Sequence, residues 1–184
     1  MTGSHQFLDG ALRLLRRATR RATGTPSTPR RTDAGRGRST GYPGDFTGRP
    51  TIVYRPHNDN RPDPGEVVWA WVPYEEDHTQ GKDRPVLLIG REDGWLLGLQ
   101  VTSKDHDLDA AQEARAGRFW ADLGSGAWDS ARRPSEARVN RIVRIAPESV
   151  RRVGAMLDER VFRDVAREVL RFYGDPEAAA QRPR

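Results

Sequence analysis

Apolar residues in the middle of the chain fall into three short runs, Val67 to Val72, Val86 to Ile89 and Trp95 to Val101, parted by turn residues. Runs of that length, rich in Val, Leu, Ile and Trp, predict three strands of an antiparallel meander rather than a helix. Glu92-Asp93-Gly94 joins the second run to the third. A glycine takes a left-handed conformation at low cost and closes a two- or three-residue hairpin there. A three-residue loop sets Arg84 opposite Thr102, whereas a two-residue Asp93-Gly94 turn slips the pairing by one and changes which faces meet. In either register these two polar residues lie near each other at the open end of the hairpin.

Downstream, Lys104 to Arg118 is polar and Ala-rich, predicting a loop or short helix, and Phe119 to Leu123 predicts a further strand before a Gly124-Ser125-Gly126 turn. Ala137 to Ile145 predicts the last strand, with Pro147 opening a turn or helix. From Val150 to Leu170 an apolar series at helical spacing, broken around Asp158-Glu159, predicts a terminal helix against the sheet. Trp120 and Trp128 are assigned to packing, because a small sheet needs large apolar groups to close its interior.

Upstream, Phe7, Leu8, Ala11, Leu12, Leu14, Leu15 and Ala18 recur at helical spacing among arginines, predicting a short helix from about 6 to 22. Residues 23 to 50 turn to Gly, Pro, Ser, Thr and Arg, the composition of a linker. Tyr42 and Phe46 stand apart from it as aromatics able to anchor an irregular segment. Thr51 to Tyr54 predicts a short edge strand, and Arg55 to Pro64 is turn-like. The expected organisation is a basic, largely disordered leader over 1–50, one main domain over 51–173 and a flexible tail over 174–184.

Charge follows that division. The net charge is +5, but residues 1–50 hold ten Arg and three acidic residues, leaving 21 basic and 23 acidic groups in the other 134. The basic character belongs to the leader, so bulk charge does not identify a nucleic-acid partner for the main domain. The absence of cysteine excludes disulfides and thiolate metal sites and is compatible with a reducing cytoplasm, the expected location. No run approaches the roughly 18 apolar residues of a spanning helix, and the opening stretch lacks the features of an export signal.

The loop from Pro73 to Asp83 carries Glu75, Glu76, Asp77, His78, Gln80, Lys82 and Asp83. It is long enough to cover the open end of the hairpin, and it reads as a solvated acidic loop rather than a carboxylate catalytic site. His78 and His106 lack the ligand spacing of a metal site. No glycine-rich phosphate loop, dinucleotide fingerprint or Ser-His-Asp arrangement is present.

Gly65-Glu66-Val67-Val68-Trp69, the loop ending His78-Thr79-Gln80-Gly81-Lys82-Asp83, Arg84-Pro85-Val86-Leu87-Leu88-Ile89, Val101-Thr102-Ser103 and the stretch Ser135 to Ile145 occur in that order. Together they resemble the PemK/MazF family of toxins from toxin–antitoxin pairs, over roughly 65 to 170. The resemblance implies a mainly β fold with α: a small SH3-like curved antiparallel barrel and a C-terminal helix. It further implies a homodimer, a cognate antitoxin protein as partner, and cleavage of single-stranded RNA without metal or other cofactor. In that chemistry the ribose 2′-hydroxyl attacks the adjacent phosphorus and leaves a 2′,3′-cyclic phosphate. Arg84 matches the family's catalytic arginine and Thr102 its catalytic Ser/Thr position.

The chemistry of those side chains suits the match. A guanidinium offers several donors and a persistent charge to a phosphorane, which makes electrostatic stabilisation and protonation of the leaving oxygen its readier roles. Thr102 donates to a phosphate oxygen or orients Arg84, and Gln80, Lys82 and Ser103 are candidate substrate contacts. The lead-in to Arg84 differs from the Gly-Ser-Glu-Gln-like one usual in the family, and residues 104–134 are longer than in a minimal relative. The first departure is expected to alter base selection. A non-catalytic SH3-like module that binds nucleic acid or protein is the alternative, since a barrel alone does not choose between them.

Overall fold

The computed structural model describes residues 41–104 and 110–174. The expected leader helix, most of the linker, the tail after Gly174 and His106 lie outside the described residues. The meander forms as its apolar runs predict: β1 (Glu66–Pro73), β2 (Gly81–Glu92) and β3 (Trp95–Thr102) are antiparallel neighbours. Asp93 and Gly94 have φ of 46° and 86°, so a two-residue turn sets Glu92 opposite Trp95. Left-handed backbone at both central positions matches the twist of the strands it joins. A β-bulge between Leu88 and Gly90 then inserts Ile89 into β2, and beyond it Leu88 faces Gly98 and Val86 faces Gln100. Each of the two candidate registers is therefore realised, one on either side of the bulge.

Among the described residues five further elements precede the terminal helix: α1 (Ala110–Arg115), β4 (Trp120–Gly124), β5 (Ser135–Ile145), a 3-10 turn at Pro147–Ser149 that Pro147 opens as expected, and β6 (Arg152–Met156). The helix α2 spans Glu159–Tyr173, capped by the Asp158 carboxylate, which accepts from the backbone N–H of Arg160 and Val161. The sheet order is β4-β5-β3-β2-β1-β6, and most of its pairings carry a bulge. Bulges steepen local twist. The sheet curls until β1 touches β5, which is not its neighbour, while the edge strands β4 and β6 stay unpaired with each other. This is the expected mainly β, SH3-like curved sheet with a C-terminal helix, as an open barrel.

Alternation along the strands divides the core between two faces. Val68, Ala70, Val86, Leu88, Val143 and Ile145 pack on one; Val67, Leu87, Leu99 and Ile142 pack on the other with Phe162, Val165 and Val169 of α2. Trp128, 3% exposed, belongs to the helix-covered cluster, as its packing assignment anticipated.

Two expected elements are different. Arg152–Met156 pairs with β1 as a strand instead of beginning the terminal helix. A piece of five residues fits both periodicities, and the open edge of β1 supplies partners for its backbone groups. Gly154 permits the approach, since a Cβ there would stand 2.7 Å from the Val67 carbonyl oxygen. Thr51 to Tyr54 is irregular rather than an edge strand, because β2 already has β1 and β3 on its two sides. It docks through the Val53 N–H, which donates to the Ile89 oxygen at the bulge over 3.0 Å. Packing also reaches back past residue 51: Phe46 is 5% exposed, and its N–H donates to the Ile142 oxygen over 2.8 Å.

Gly90 follows the bulge, and a Cβ on it would meet the Thr51 oxygen at 2.4 Å. Gly90→Ala is expected to force the 51–53 segment off β2 and to lower unfolding stability by about 1–3 kcal/mol. A urea midpoint equal to that of the wild type would show that the segment yields without cost.

Candidate active site

Arg84 lies on β2 opposite Ala70 of β1. Two residues inward along β2, Val86 faces Gln100, and continuing that register sets Arg84 opposite Thr102. Thr102 faces Glu136 of β5, and Glu136 faces Asp122 of β4. Residues directly opposite share a face of the sheet, so Arg84, Thr102, Glu136 and Asp122 form one polar row across its end. Arg84, Thr102 and Ser103 also line a single cavity of about 180 Å³, with Trp69, Trp128 and Arg133 among its other walls.

Charge compensation around the cavity is uneven. Asp129 accepts from Arg133 at 2.7 Å, a hydrogen bond that holds its carboxyl below the ordinary carboxylate range. Asp83 pairs with Arg151 at 3.1 Å. The side chain of Arg84, a half-buried residue, has no hydrogen bond or ion pair among the described residues. The Thr102 Oγ1 accepts from the Lys104 N–H at 3.1 Å, which leaves its own hydrogen to donate. A cationic fork and a hydroxyl donor on one row can together hold a tetrahedral or trigonal-bipyramidal anion.

The other two candidate substrate contacts stand apart from that cavity. Gln80 Nε2 donates to Asp77 Oδ2 at 2.7 Å, and Asp77 also accepts from the Thr79 hydroxyl and N–H. These bonds, the Thr79 hydroxyl's first, keep the Asp77 carboxyl below its usual range. Lys82 is exposed and two residues from Arg84, so alternation puts it on the same face. Glu75, exposed as expected of a solvated loop, also accepts from both terminal nitrogens of Arg138, at 2.8 and 3.2 Å. Arg138 is 6% exposed. Among the described residues no three His, Asp or Glu gather as a metal site would require.

Sequence reasoning passed over Glu136, Trp69, Asp129 and Arg133. Glu136 was within reach, since its place in the last strand follows from pairing that strand with β3. The other three carry no local signal: Asp129 and Arg133 lie in an irregular stretch, and Trp69 reads as core. Trp128 was read as packing, and it packs; its ring also walls the cavity, held by Nε1 donating to Ser135 Oγ at 3.1 Å.

Comparison with known proteins bears on this geometry. The family described as PemK-like, MazF-like toxin of type II toxin–antitoxin system matches residues 63–173. Among solved structures, a chain from the crystal structure of MazE-MazF (Form-II) from Deinococcus radiodurans is similar at 20% identity and a TM-score of 0.46. The similarity covers 63% of this chain and 98% of that one. No curated protein matches.

Residues 42–46 precede the matched region, yet they reach the loop beside the candidate site. The Tyr42 ring meets the His78 ring edge-on, with centroids 5.0 Å apart, and the Tyr42 hydroxyl donates to the Asp45 carboxylate. Burial, then the hydrogen bond and negative charge of Asp45, push the phenol above its ordinary value. A phenol held neutral in the folded chain contributes stability that is complete below pH ~10 and lost as pH rises from there toward the folded value. Above pH ~10, unfolding free energy should therefore fall more steeply for the wild type than for Tyr42→Phe, by up to about 1.4 kcal/mol per pH unit. Parallel slopes in urea titrations would mean that the phenol ionises as easily folded as unfolded.

Proposed function

We propose that this chain, which belongs to the PemK-like, MazF-like toxin family of type II toxin–antitoxin systems, cuts single-stranded RNA at Arg84 and Thr102. The observation that carries the reading is their shared register position at the rim of one cavity, with Arg84 uncompensated. In the reaction the ribose 2′-oxygen bonds to phosphorus while the P–O5′ bond breaks. The 2′-hydroxyl proton passes to a base and the departing 5′-oxygen gains one, leaving a 2′,3′-cyclic phosphate and a 5′-hydroxyl. No bound metal takes part.

Arg84 neutralises the charge that grows on the phosphorane and donates to the leaving oxygen. Thr102 donates to a non-bridging oxygen. A guanidinium that stays charged is a poor proton acceptor, so the carboxylate of Glu136, opposite Thr102 on the same row, is the base whose chemistry fits. Ser103, Lys82 and Gln80 contact the flanking nucleotides. As in other type II pairs the inhibitor is a protein antitoxin, and the working form is a homodimer whose loops complete an RNA groove.

The test incubates purified wild type, Arg84→Ala and Thr102→Ala with a mixed-sequence single-stranded RNA pool and a chelator, and maps every fragment end. Wild type is expected to leave cyclic-phosphate ends despite the chelator, and Arg84→Ala and Thr102→Ala to cut about 10²–10³-fold more slowly. An intact RNA pool, or a folded Arg84→Ala protein cutting at the wild-type rate, would refute the assignment. Tight RNA binding without cleavage would point to the binding module instead. Light scattering on the same wild-type sample is expected to give the mass of two chains; a constant monomer mass would remove the dimer.

A further inference from the structure

Two arginines of β5, Arg141 and Arg144, hold the chain that precedes the matched region, and a third, Arg138, holds the loop after β1. Arg144 Nη1 donates to the Gly44 and Asp45 carbonyls at 2.9 and 3.0 Å, and its guanidinium lies 5.3 Å from the centre of the Phe46 ring. Arg141 donates from Nε to Asp45 at 2.7 Å and from Nη2 to the Pro73 carbonyl at 2.9 Å. It is 5% exposed. That one guanidinium therefore ties the upstream segment to the residue at which β1 gives way to the loop. Arg138 secures the next part of the loop through Glu75, and Tyr42 closes the set by meeting His78 in the middle of the loop.

We propose that Tyr42–Phe46 is a positioning strap: anchored on β5 through Asp45–Arg141 and Phe46, it holds the Tyr74–Gln80 loop in place and thereby sets which RNA sequences reach Arg84. The inference rests on the nuclease reading for its consequence but not for its geometry. The strap lies outside the family match at 63–173, and it touches the stretch in which this chain departs from the family's usual lead-in to its arginine. Tyr42 is a positioning residue, because it acts on the loop and not on the reacting atoms. Its ring bears on His78, while its hydroxyl engages Asp45; the two contacts are separable by substitution.

Hydrogen exchange of the purified full chain reads the brace without RNA. The N–H groups of Tyr74, Thr79 and Gln80 are hydrogen-bonded within the loop. In Tyr42→Ala they are expected to exchange at least roughly tenfold faster, with β2 and β3 unchanged, and Tyr42→Phe, which keeps the ring, is expected to restore most of the protection. Unchanged loop exchange in Tyr42→Ala overturns the proposal. Faster exchange throughout the sheet also overturns it, since Tyr42 would then be an ordinary packing residue.

Cleavage kinetics read the consequence. Tyr42→Ala is expected to raise KM several-fold and broaden the set of cut sites, with kcat at the preferred site within about twofold of wild type. An unchanged KM and cut-site map overturns the selectivity claim. RNA left intact by the wild type would sink the nuclease reading, and the exchange measurement would still decide the brace.

Discussion

One inserted residue, Ile89, governs where the polar groups of this sheet stand. From the Asp93-Gly94 turn inward, the first register would set Arg84 against Ser103 and send Thr102 to the opposite face. The bulge shifts the ladder by one, and Arg84 and Thr102 come to share a face. It also presents a carbonyl away from the β3 ladder: Ile89 receives the Val53 N–H, and its neighbour Leu88 receives the Gly65 N–H at 2.8 Å. The same local irregularity thus places the candidate chemistry and docks the chain that enters the sheet. A strand buried on both faces tolerates such an irregularity only where the displaced backbone groups find partners. Here they do.

Charge pairing along the sheet follows from β5. Its three arginines lie among apolar residues, where an unpaired guanidinium would be costly, and each is met by a carboxylate: Glu75, Asp45 and Glu92. For Arg141 burial opposes the charge, while the hydrogen bond and charge of Asp45 more than restore it. Removing Asp45 alone would strand that cation, a change that typically costs about 3–5 kcal/mol. The pairing has a second effect. Glu75 sits in the acidic loop between β1 and β2, and Arg138 offsets its charge. Arg84, which lines the cavity, remains as a cation without such a partner among the described residues.

The meander and the last strand were legible because long Val, Leu and Ile runs between turn residues have few alternatives. The hairpin register was legible only as a pair of options, since no residue type announces a bulge at Ile89. β6 was hidden because Arg152–Met156 is too short for one periodicity to prevail, and what decides it is the open edge of β1, a tertiary fact. The strap had a partial signal: Tyr42 and Phe46 were the aromatics in a Gly- and Pro-rich stretch. Their counterparts on β5 had none, because Arg138, Arg141 and Arg144 in an apolar run read as surface charges until the carboxylates arrive from segments far away in sequence. Arg84 and Thr102 became candidates through family resemblance, with register as independent support.

Division of labour within the polar row follows from what each group can exchange with solvent or substrate. Thr102 already accepts the Lys104 N–H, which holds its oxygen in place and leaves its hydrogen to donate. Such preorganisation matters because a donor that need not reorient as charge develops stabilises a transition state more than a mobile one does. Arg84 is different: unpaired and half-buried, it is oriented by the strand that carries it and by the walls of the cavity. The loop between β1 and β2, built largely of exposed polar residues, would hold one conformation poorly if it were attached at its ends alone. Its ties to Arg138, Arg141 and Tyr42 supply the missing constraint.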